Sequence, residues 1–245
     1  MSKQRGFQRW VMGWVSGLLA ALVATNAWAQ MATVRPEVFP PSQGRGPVVV
    51  VVSGATGTAY YRGTATKLAA LGYHAVLIEG GSIYKRFPPA GFDGEAALKA
   101  VIDEAVTAPQ ALPGKAALLG FSLGGAAVLV HGGPMKDRVS AVVAYYPAVT
   151  PLGPELGTLA ARLQVPVLLI AGEQDRYVDC CLIESMRTLA AAPKAVPFEF
   201  VSYPNANHGF NLEENQFGFD AAATADAWAR TAAFLRRVHP PVGVR

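Results

Sequence analysis

Residues that commonly bind metal ions are scarce in this chain, which has only two cysteines and four histidines. The cysteines, Cys180 and Cys181, are adjacent, and no histidine or second cysteine pair lies at ligand spacing from them, so we expect no metal site. Adjacent Cα atoms lie about 3.8 Å apart, which is shorter than the roughly 4.4–6.8 Å that disulfides prefer. A free buried pair is therefore the ordinary expectation, although an oxidising compartment permits a vicinal disulfide that would stiffen the loop beside Asp175.

The chain also lacks an apolar run of the ~18 residues that a membrane-spanning helix usually needs. A shorter run, Trp10 to Val23, follows three basic residues and precedes the tripeptide Ala27-Trp28-Ala29, a small-x-small cleavage site. This order predicts a secretory signal over residues 1–29, cleaved after Ala29, and a periplasmic or secreted product without stable membrane association. The alternative is a permanent anchor, which the length of the run disfavours. Since neither a twin arginine nor a nearby cysteine is present, a general export signal fits better than a Tat or lipoprotein signal.

Acidic residues are absent from the first 29 positions, so loss of this leader lowers the formal net charge from +4 to +1. The basic character belongs largely to the leader, and nucleic acid is not an expected partner. The expected partner is instead a small molecule, and no feature of the sequence specifies an oligomeric state. By length and composition we divide the chain into the signal (1–29), a Pro- and Gly-rich linker (30–46) and one α/β domain (47–245).

Apolar runs alternate with helix-like segments from Pro47 onward, which predicts a mainly parallel, doubly wound sheet flanked by helices. The runs are continuously apolar, so we expect the strands to be buried on both faces. The segment 148–164 is too short to form a covering domain, and we expect an open site without a lid. The predicted strands are Val48–Val52, Ala75–Glu79, Ala116–Gly120, Val139–Tyr146, Val167–Ala171 and Phe198–Tyr203; the predicted helices are Thr58–Leu71, Ala96–Val106, Ile183–Ala192 and Ala221–Val238.

The pentapeptide Gly120-Phe121-Ser122-Leu123-Gly124 stands between a predicted strand and a helical stretch. A sharp turn here needs glycines on both sides of the serine, because neighbouring chain segments come too close for side chains. Such a turn leaves the Ser122 hydroxyl exposed above the sheet, where it can attack a carbonyl group. The alternative is an ordinary small residue in a tight turn.

A nucleophilic serine needs a base and an acid that orients the base, and both candidates follow Ser122 on post-strand loops. Asp175 follows the run PVLLIAGEQ, and His208 follows PFEFVSYPNAN. Glu173 and Asp179 compete with Asp175 as the acid. The other histidines, at positions 74, 131 and 239, are expected to be packing or surface residues.

The oxyanion formed on such a serine requires two N–H donors. We assign one to the backbone of Leu123 and the other to Ala55 in the loop after the first predicted strand, with Gly54 and Thr56 as alternatives. A phosphate-binding role for this loop is disfavoured because the Gly-x-x-x-x-Gly-Lys pattern is missing.

Several side chains flank these loops and are candidates for contacts with a substrate, with packing or solvent exposure as the alternative role. The aromatic candidates are Tyr60, Tyr61, Tyr146 and Phe210, and the basic ones are Lys85 and Arg86, which would contact an acidic group.

The segments GFSLGG, AGEQDRYVD and YPNANHGF resemble those of the dienelactone hydrolase family within the α/β-hydrolase superfamily. The resemblance spans about Pro47 to Val238 and implies a compact hydrolase without a lid, a metal or another cofactor. Family members proper use cysteine at the elbow and a glutamate in the oxyanion loop, where this chain has Ser122 and Gly54. We therefore expect a serine esterase acting on carboxylic esters, with lactones a further substrate class. The alternatives are an acyltransferase or peptidase with the same triad, and a catalytically silent binding protein.

Overall fold

The computed structural model describes residues 35–177, 180–214 and 218–241. The predicted signal therefore lies outside the described residues, and so does Asp179. None of the helices in the described ranges is both long enough and apolar enough to span a membrane.

A seven-stranded sheet forms the centre of the domain, in the order β1-β3-β2-β4-β5-β6-β7. The first strand pairs antiparallel with β3, and all other pairs are parallel. All six predicted strands are present, each within one residue of its predicted bounds. The strands are β1 (Glu37–Phe39), β2 (Val48–Val52), β3 (His74–Ile78), β4 (Ala116–Phe121), β5 (Val139–Tyr145), β6 (Val167–Gly172) and β7 (Phe198–Tyr203).

Strand β1 corrects the prediction that residues 30–46 only link the signal to the domain. Its three residues pair with Ala75–Leu77 and extend the sheet at one edge. A three-residue strand between prolines is too short to show an alternating pattern in the sequence, so its pairing partner decides its structure.

Burial along the strands follows their position in the sheet. Strands β2, β3, β4 and β6 are buried at every residue. The prediction of burial on both faces is wrong for β7, which lies at the other edge and is only half-buried, with Glu199 exposed. An edge strand has a neighbour on one side only, so less of its surface is covered.

In the described ranges, six α-helices lie between and after the strands, and two of them begin with an aspartate cap. Asp93 accepts a hydrogen bond from the Ala96 amide at 2.9 Å, and Asp220 accepts one from Ala223 at 2.9 Å. The helices are α1 (Arg62–Ala70), α2 (Gly94–Ala105), α3 (Leu123–Ala127), α4 (Leu156–Arg162), α5 (Ile183–Ala191) and α6 (Ala221–Val238).

The predicted helix Thr58–Leu71 is divided, because residues Thr58–Tyr61 form a 3₁₀ turn before α1 begins. Helix α3 passes directly into a π-helical segment, Val128–Gly132, which contains His131. Between β5 and β6 the chain forms only a 3₁₀ segment, Thr150–Glu155, and α4. These short elements form no covering domain between β5 and β6.

The strand order reverses between β2 and β4, which are adjacent in the sheet although the chain visits β3 between them. In open α/β sheets, ligands bind in the crevice beyond the carboxyl ends of the strands at such a reversal. The loops that follow β2 and β4 meet here, so the topology places the loop after β2, which carries Gly54 and Ala55, beside Ser122.

Candidate active site

Ser122 occupies a strained turn between β4 and α3. Its φ of 52° and ψ of −112° lie in a region that residues with a side chain rarely adopt. A Cβ atom at Gly120 would lie 2.2 Å from the Gly124 carbonyl oxygen, and one at Gly124 would lie 2.2 Å from that of Val52. The two flanking glycines are therefore required by the close approach of backbone, as the sequence pattern predicts.

Ser122, His208 and Asp175 form a continuous chain of hydrogen bonds. The distance from His208 Nε2 to Ser122 Oγ is 3.1 Å, and that from His208 Nδ1 to Asp175 Oδ2 is 2.8 Å. The serine and histidine are each 8% exposed, whereas the aspartate is fully buried. The second oxygen of Asp175 accepts the Tyr177 amide at 3.0 Å, which fixes the orientation of the carboxylate. This geometry suits proton transfer from the hydroxyl to the imidazole.

The loops that carry Asp175 and His208 follow the adjacent parallel strands β6 and β7 and pack against each other. The Gln174 amide donates to the Ala206 carbonyl oxygen at 2.9 Å. A Cβ atom at Gly172 would lie 2.4 Å from the same oxygen, so only glycine allows this approach. The close contact of the two loops explains how residues 33 positions apart in the sequence share a hydrogen bond.

The competing acid Glu173 points elsewhere. Its carboxylate accepts a hydrogen bond from Ser202 at 2.7 Å and pairs with Arg187 at 3.1 Å. The bond from Ser202, aided by Arg187, lowers the pKa of Glu173. Among the described residues, Asp175 is therefore the carboxylate that reaches the imidazole.

The other histidines lie outside this hydrogen-bond chain. His239 contacts Ser140 Oγ and the Val48 carbonyl oxygen, each at 2.9 Å. The ring of His131 packs against Tyr84, with centroids 6.0 Å apart. His74 is buried in β3, and neither ring nitrogen has a hydrogen-bond partner among the described residues. Burial lowers the pKa of all three histidines.

The loop after β2 forms a turn in which the Gly57 amide donates to the Gly54 carbonyl oxygen at 3.3 Å. A Cβ atom at Gly54 would lie 2.5 Å from Tyr61 Oη and 3.4 Å from Ser122 Cβ. Ala55 occupies the turn and lines the cavity above the serine. Leu123 is the first residue of α3, and an amide at that position has no acceptor within its own helix. The assignment of these two amides as oxyanion donors stays a prediction.

A cavity of about 330 Å³ opens above Ser122. Four of its wall residues are tyrosines, and one, Tyr177, is not anticipated from the sequence although it lies only two positions after Asp175. The lining residues are Gly54, Ala55, Thr56, Tyr60, Tyr61, Ser122, Tyr146, Tyr177, His208, Gly209, Leu212 and Glu214. A second, more polar groove of about 480 Å³ shares Tyr60, Leu212 and Glu214 with this cavity.

Three predicted substrate contacts are not found at the cavity. Phe210 is fully buried and packs behind Tyr146, with ring centroids 5.8 Å apart. Lys85 lies over the ring of Phe92, and Arg86 lies over Phe87. Long basic side chains on a loop find such apolar partners readily, so their position in the sequence is a poor guide to substrate contact.

Tyr146 is held tightly beneath the histidine. Its φ of 34° is positive, and its hydroxyl donates to Asn211 Oδ1 at 2.5 Å. The edge of its ring meets His208 with centroids 4.8 Å apart. Burial raises the pKa of Tyr146 well above its usual value, so the phenol stays neutral and remains a donor.

Cys180 and Cys181 are joined by a vicinal disulfide on the loop that carries Asp175. The two sulfur atoms and a ring nitrogen of His208 all lie within 4.8 Å of one another. This is the one group of three residues with metal-ligating side chains found among the described residues, but sulfurs bonded to each other offer no thiolate to a metal. The expectation of a free pair is therefore wrong, and the permitted alternative, a ring beside the acid loop, is what the structure contains.

A sequence profile of the dienelactone hydrolase family matches residues 90–239, which is more than half of the chain. The chain belongs to the dienelactone hydrolase family. As a member, it is a carboxylic ester hydrolase with the α/β-hydrolase fold, as the sequence resemblance predicts. No curated protein matches the chain significantly.

Solved structures with the same fold share little sequence with this hydrolase. Est1E from Butyrivibrio proteoclasticus is 15% identical with a TM-score of 0.64, over 83% of this chain and 93% of that one. Thermogutta terrifontis esterase 2 phosphorylated by paraoxon is 19% identical with a TM-score of 0.66, over 85% and 90% of the two chains. A candidate dienelactone hydrolase from Klebsiella pneumoniae is 21% identical with a TM-score of 0.64, over 84% and 99%. At these identities the likeness establishes the fold.

Proposed function

We propose that this family member is a serine hydrolase that cleaves small carboxylic esters, lactones included, through a covalent acyl-enzyme. One observation carries the proposal: the hydroxyl of Ser122, on a strained turn, lies 3.1 Å from an imidazole that is itself bonded to a buried carboxylate. This arrangement matches the requirements of an activated nucleophile, in which a base accepts the hydroxyl proton and a third group orients the base.

In the proposed reaction, Ser122 Oγ attacks the ester carbonyl carbon while its proton moves to His208 Nε2. The C–O bond to the alcohol then breaks, and the imidazolium returns the proton to the departing alkoxide oxygen. Water repeats the sequence on the acyl-enzyme and releases the acid. Asp175 holds the Nδ1 proton and stabilises the positive charge on the ring, for which its 2.8 Å contact and complete burial are well suited.

The tetrahedral oxyanion would be stabilised by the amides of Leu123 and Ala55. The first lies at the amino terminus of α3, where the helix dipole favours negative charge. The second belongs to the turn that begins at Gly54, where a Cβ atom would lie 3.4 Å from Ser122 Cβ. Two preorganised donors of this kind make a large contribution to acyl transfer.

Variants of the triad test this proposal through the hydrolysis of vinyl acetate and a matched amide. We expect Ser122→Ala and His208→Ala to lower kcat by about four to six orders of magnitude, and Asp175→Asn by about four. Glu173→Gln is the matched control, because the Glu173 carboxylate accepts a hydrogen bond from Ser202 and forms an ion pair with Arg187. Full activity in Ser122→Ala would refute the proposal, faster cleavage of the amide would favour a peptidase, and a folded protein without turnover would favour a binding protein.

We also propose that the enzyme is exported, with residues 1–29 removed after Ala29. The basic amino terminus, the apolar run and the small-x-small tripeptide support this proposal. An oxidising compartment is consistent with the vicinal disulfide between Cys180 and Cys181.

A further inference from the structure

Tyr146 has a strained backbone, a property that it shares with the nucleophile. In the described ranges, the two residues other than glycine with a positive φ are Ser122, at 52°, and Tyr146, at 34°. Such angles persist only where the surrounding structure enforces them, and they are common at active sites. The strain at Ser122 belongs to the nucleophile turn. The strain at Tyr146 calls for a separate cause, which its contacts supply.

The backbone around Tyr146 is hydrogen-bonded to two of the segments that build the site. The Tyr146 amide donates to the Ile170 carbonyl oxygen at 2.6 Å, on the strand that leads to the acid loop. The Ala148 amide donates to the carbonyl oxygen of Ser122 at 2.9 Å. The position of Tyr146 is therefore fixed relative to the nucleophile turn and to β6.

The side chain of Tyr146 reaches the loop that carries the base. Its hydroxyl donates to Asn211 Oδ1 at 2.5 Å. Asn211 lies shortly after His208, in a turn that the Leu212 amide closes by donating to the Gly209 carbonyl oxygen at 2.9 Å. One side chain thus ties the turn that follows the base to the backbone that holds the nucleophile.

The ring of Tyr146 also supports the imidazole directly. The hydrogen bonds to Ser122 and Asp175 alone would leave the His208 ring free to tilt about the line that joins them. Tyr146 packs against this ring with centroids 4.8 Å apart and planes inclined by 62°, which is a favourable aromatic contact. Tyr146 has no solvent-exposed surface, so any effect on the reaction passes through His208 and not through the substrate.

From these contacts we propose that Tyr146 and Asn211 are positioning residues whose hydrogen bond sets the orientation of the His208 imidazole towards Ser122. The proposal rests on the proposed function and deepens it, because it assigns residues outside the triad to the proton transfers. The imidazole must accept a proton from the serine and return it to the departing alcohol, so a loss of orientation slows both transfers.

Removal of either partner of the hydrogen bond tests the proposal. We expect Tyr146→Phe and Asn211→Leu to lower kcat for vinyl acetate by about tenfold each, with KM changed by less than about twofold. Tyr145→Phe is the matched control, because the Tyr145 hydroxyl bonds to Thr231 in the core at 2.7 Å. The control should keep its kcat. Wild-type kcat in both Tyr146→Phe and Asn211→Leu overturns the proposal.

The double variant Tyr146→Phe/Asn211→Leu separates positioning from stability. Each single variant leaves a polar group without its partner, whereas the double variant removes both groups and should regain free energy of unfolding. Its kcat should nevertheless stay as low as that of the slower single variant. Recovery of kcat together with stability would show a merely structural role, and a loss equal to the product of the two single losses would contradict action through their shared bond.

The leaving group provides a measurement that partial unfolding cannot imitate, because the ratio of two substrates is independent of the folded fraction. The 4-nitrophenolate ion departs without a proton, whereas the alkoxide of ethyl acetate needs the proton of the imidazolium. The ratio of kcat/KM for 4-nitrophenyl acetate to that for ethyl acetate should therefore rise by about threefold to tenfold in Tyr146→Phe and stay constant in Tyr145→Phe. A constant ratio in Tyr146→Phe contradicts the proposal.

Failure of the proposed function is a separate outcome. In that case Ser122→Ala and His208→Ala would hydrolyse esters as fast as the wild type. Failure of this inference alone leaves those two variants inactive and Tyr146→Phe fully active.

Discussion

Substitution of Gly54 by alanine tests whether the loop after β2 must approach the nucleophile closely. The new methyl group would lie 2.5 Å from Tyr61 Oη, whereas carbon atoms in good contact stand about 3.5 Å or more from their neighbours. Tyr61 is 2% exposed and stacked on Phe121, so the loop is the part that yields, by about 1 Å. A displacement of that size at a catalytic group costs about 10²-fold in rate, or about 2.7 kcal/mol in the activation free energy.

The assay is kcat/KM for vinyl acetate together with the free energy of unfolding. We expect Gly54→Ala to lose about 10²-fold in kcat/KM and about 1–3 kcal/mol of stability from overpacking. Gly63→Ala is the matched control, because no atom lies within 4 Å of a Cβ at that helical position and alanine is the better helix former. The control should keep full activity and gain slightly in stability.

The double variant Gly54→Ala/Tyr61→Phe separates steric conflict from other causes, since it removes the oxygen that meets the new methyl group. Tyr61→Phe alone should cost less than about tenfold, because it loses a hydroxyl worth about 1 kcal/mol in hydrogen bonding. The double variant should approach the activity of Tyr61→Phe. Wild-type activity in Gly54→Ala, or no recovery in the double variant, would refute the proposed position of the oxyanion loop.

Three further predictions concern stability, redox state and processing. Burial holds the pKa of His74 below its ordinary 6.5, so below that pH the unfolded chain binds a proton that the folded chain does not, and this group should lower stability by at most about 1.4 kcal/mol per pH unit. Urea titrations at pH 7.5 and 5 should show a smaller loss of stability in His74→Val than in the wild type, and an equal loss in the two proteins would contradict this. Reduction of the Cys180–Cys181 disulfide by a phosphine should lower kcat/KM by about tenfold, because the disulfide ring lies beside His208. The Cys180→Ser/Cys181→Ser variant should be equally slow but insensitive to the phosphine, and full activity of the reduced wild-type protein would exclude this role. Intact-mass spectrometry of the exported protein should show a chain that begins at Gln30, and Ala29→Arg should block this processing. An exported product that retains Met1 would disprove cleavage.

Local sequence patterns predicted the parts of this protein that depend on neighbouring residues. The buried strands are continuous apolar runs, and the turn at Ser122 needs glycines at fixed offsets, so both are visible in a short window. Asp175 and His208 could be singled out because each follows a strand, and parallel strands bring the loops at their carboxyl ends to one edge of the sheet.

The parts that were not predicted depend on contacts between distant segments. Strand β1 is defined by its pairing with β3 and not by its own pattern. Tyr177 joins the cavity because the acid loop folds back over His208, whereas Phe210, only two residues after the histidine, turns into the core. Which aromatic side chain faces a substrate is decided by loop shape, and the one-dimensional pattern carries little information about it.

Covalent labelling of the folded protein tests the central claim most directly. Paraoxon is the probe, because an organophosphate transfers its phosphoryl group to an activated serine hydroxyl and leaves a stable adduct. We expect one diethyl phosphoryl group per chain, located by peptide mass spectrometry on Ser122, absent in Ser122→Ala and formed far more slowly in His208→Ala. An adduct on another residue, or none on Ser122 in protein that is folded and hydrolyses esters, would contradict the account.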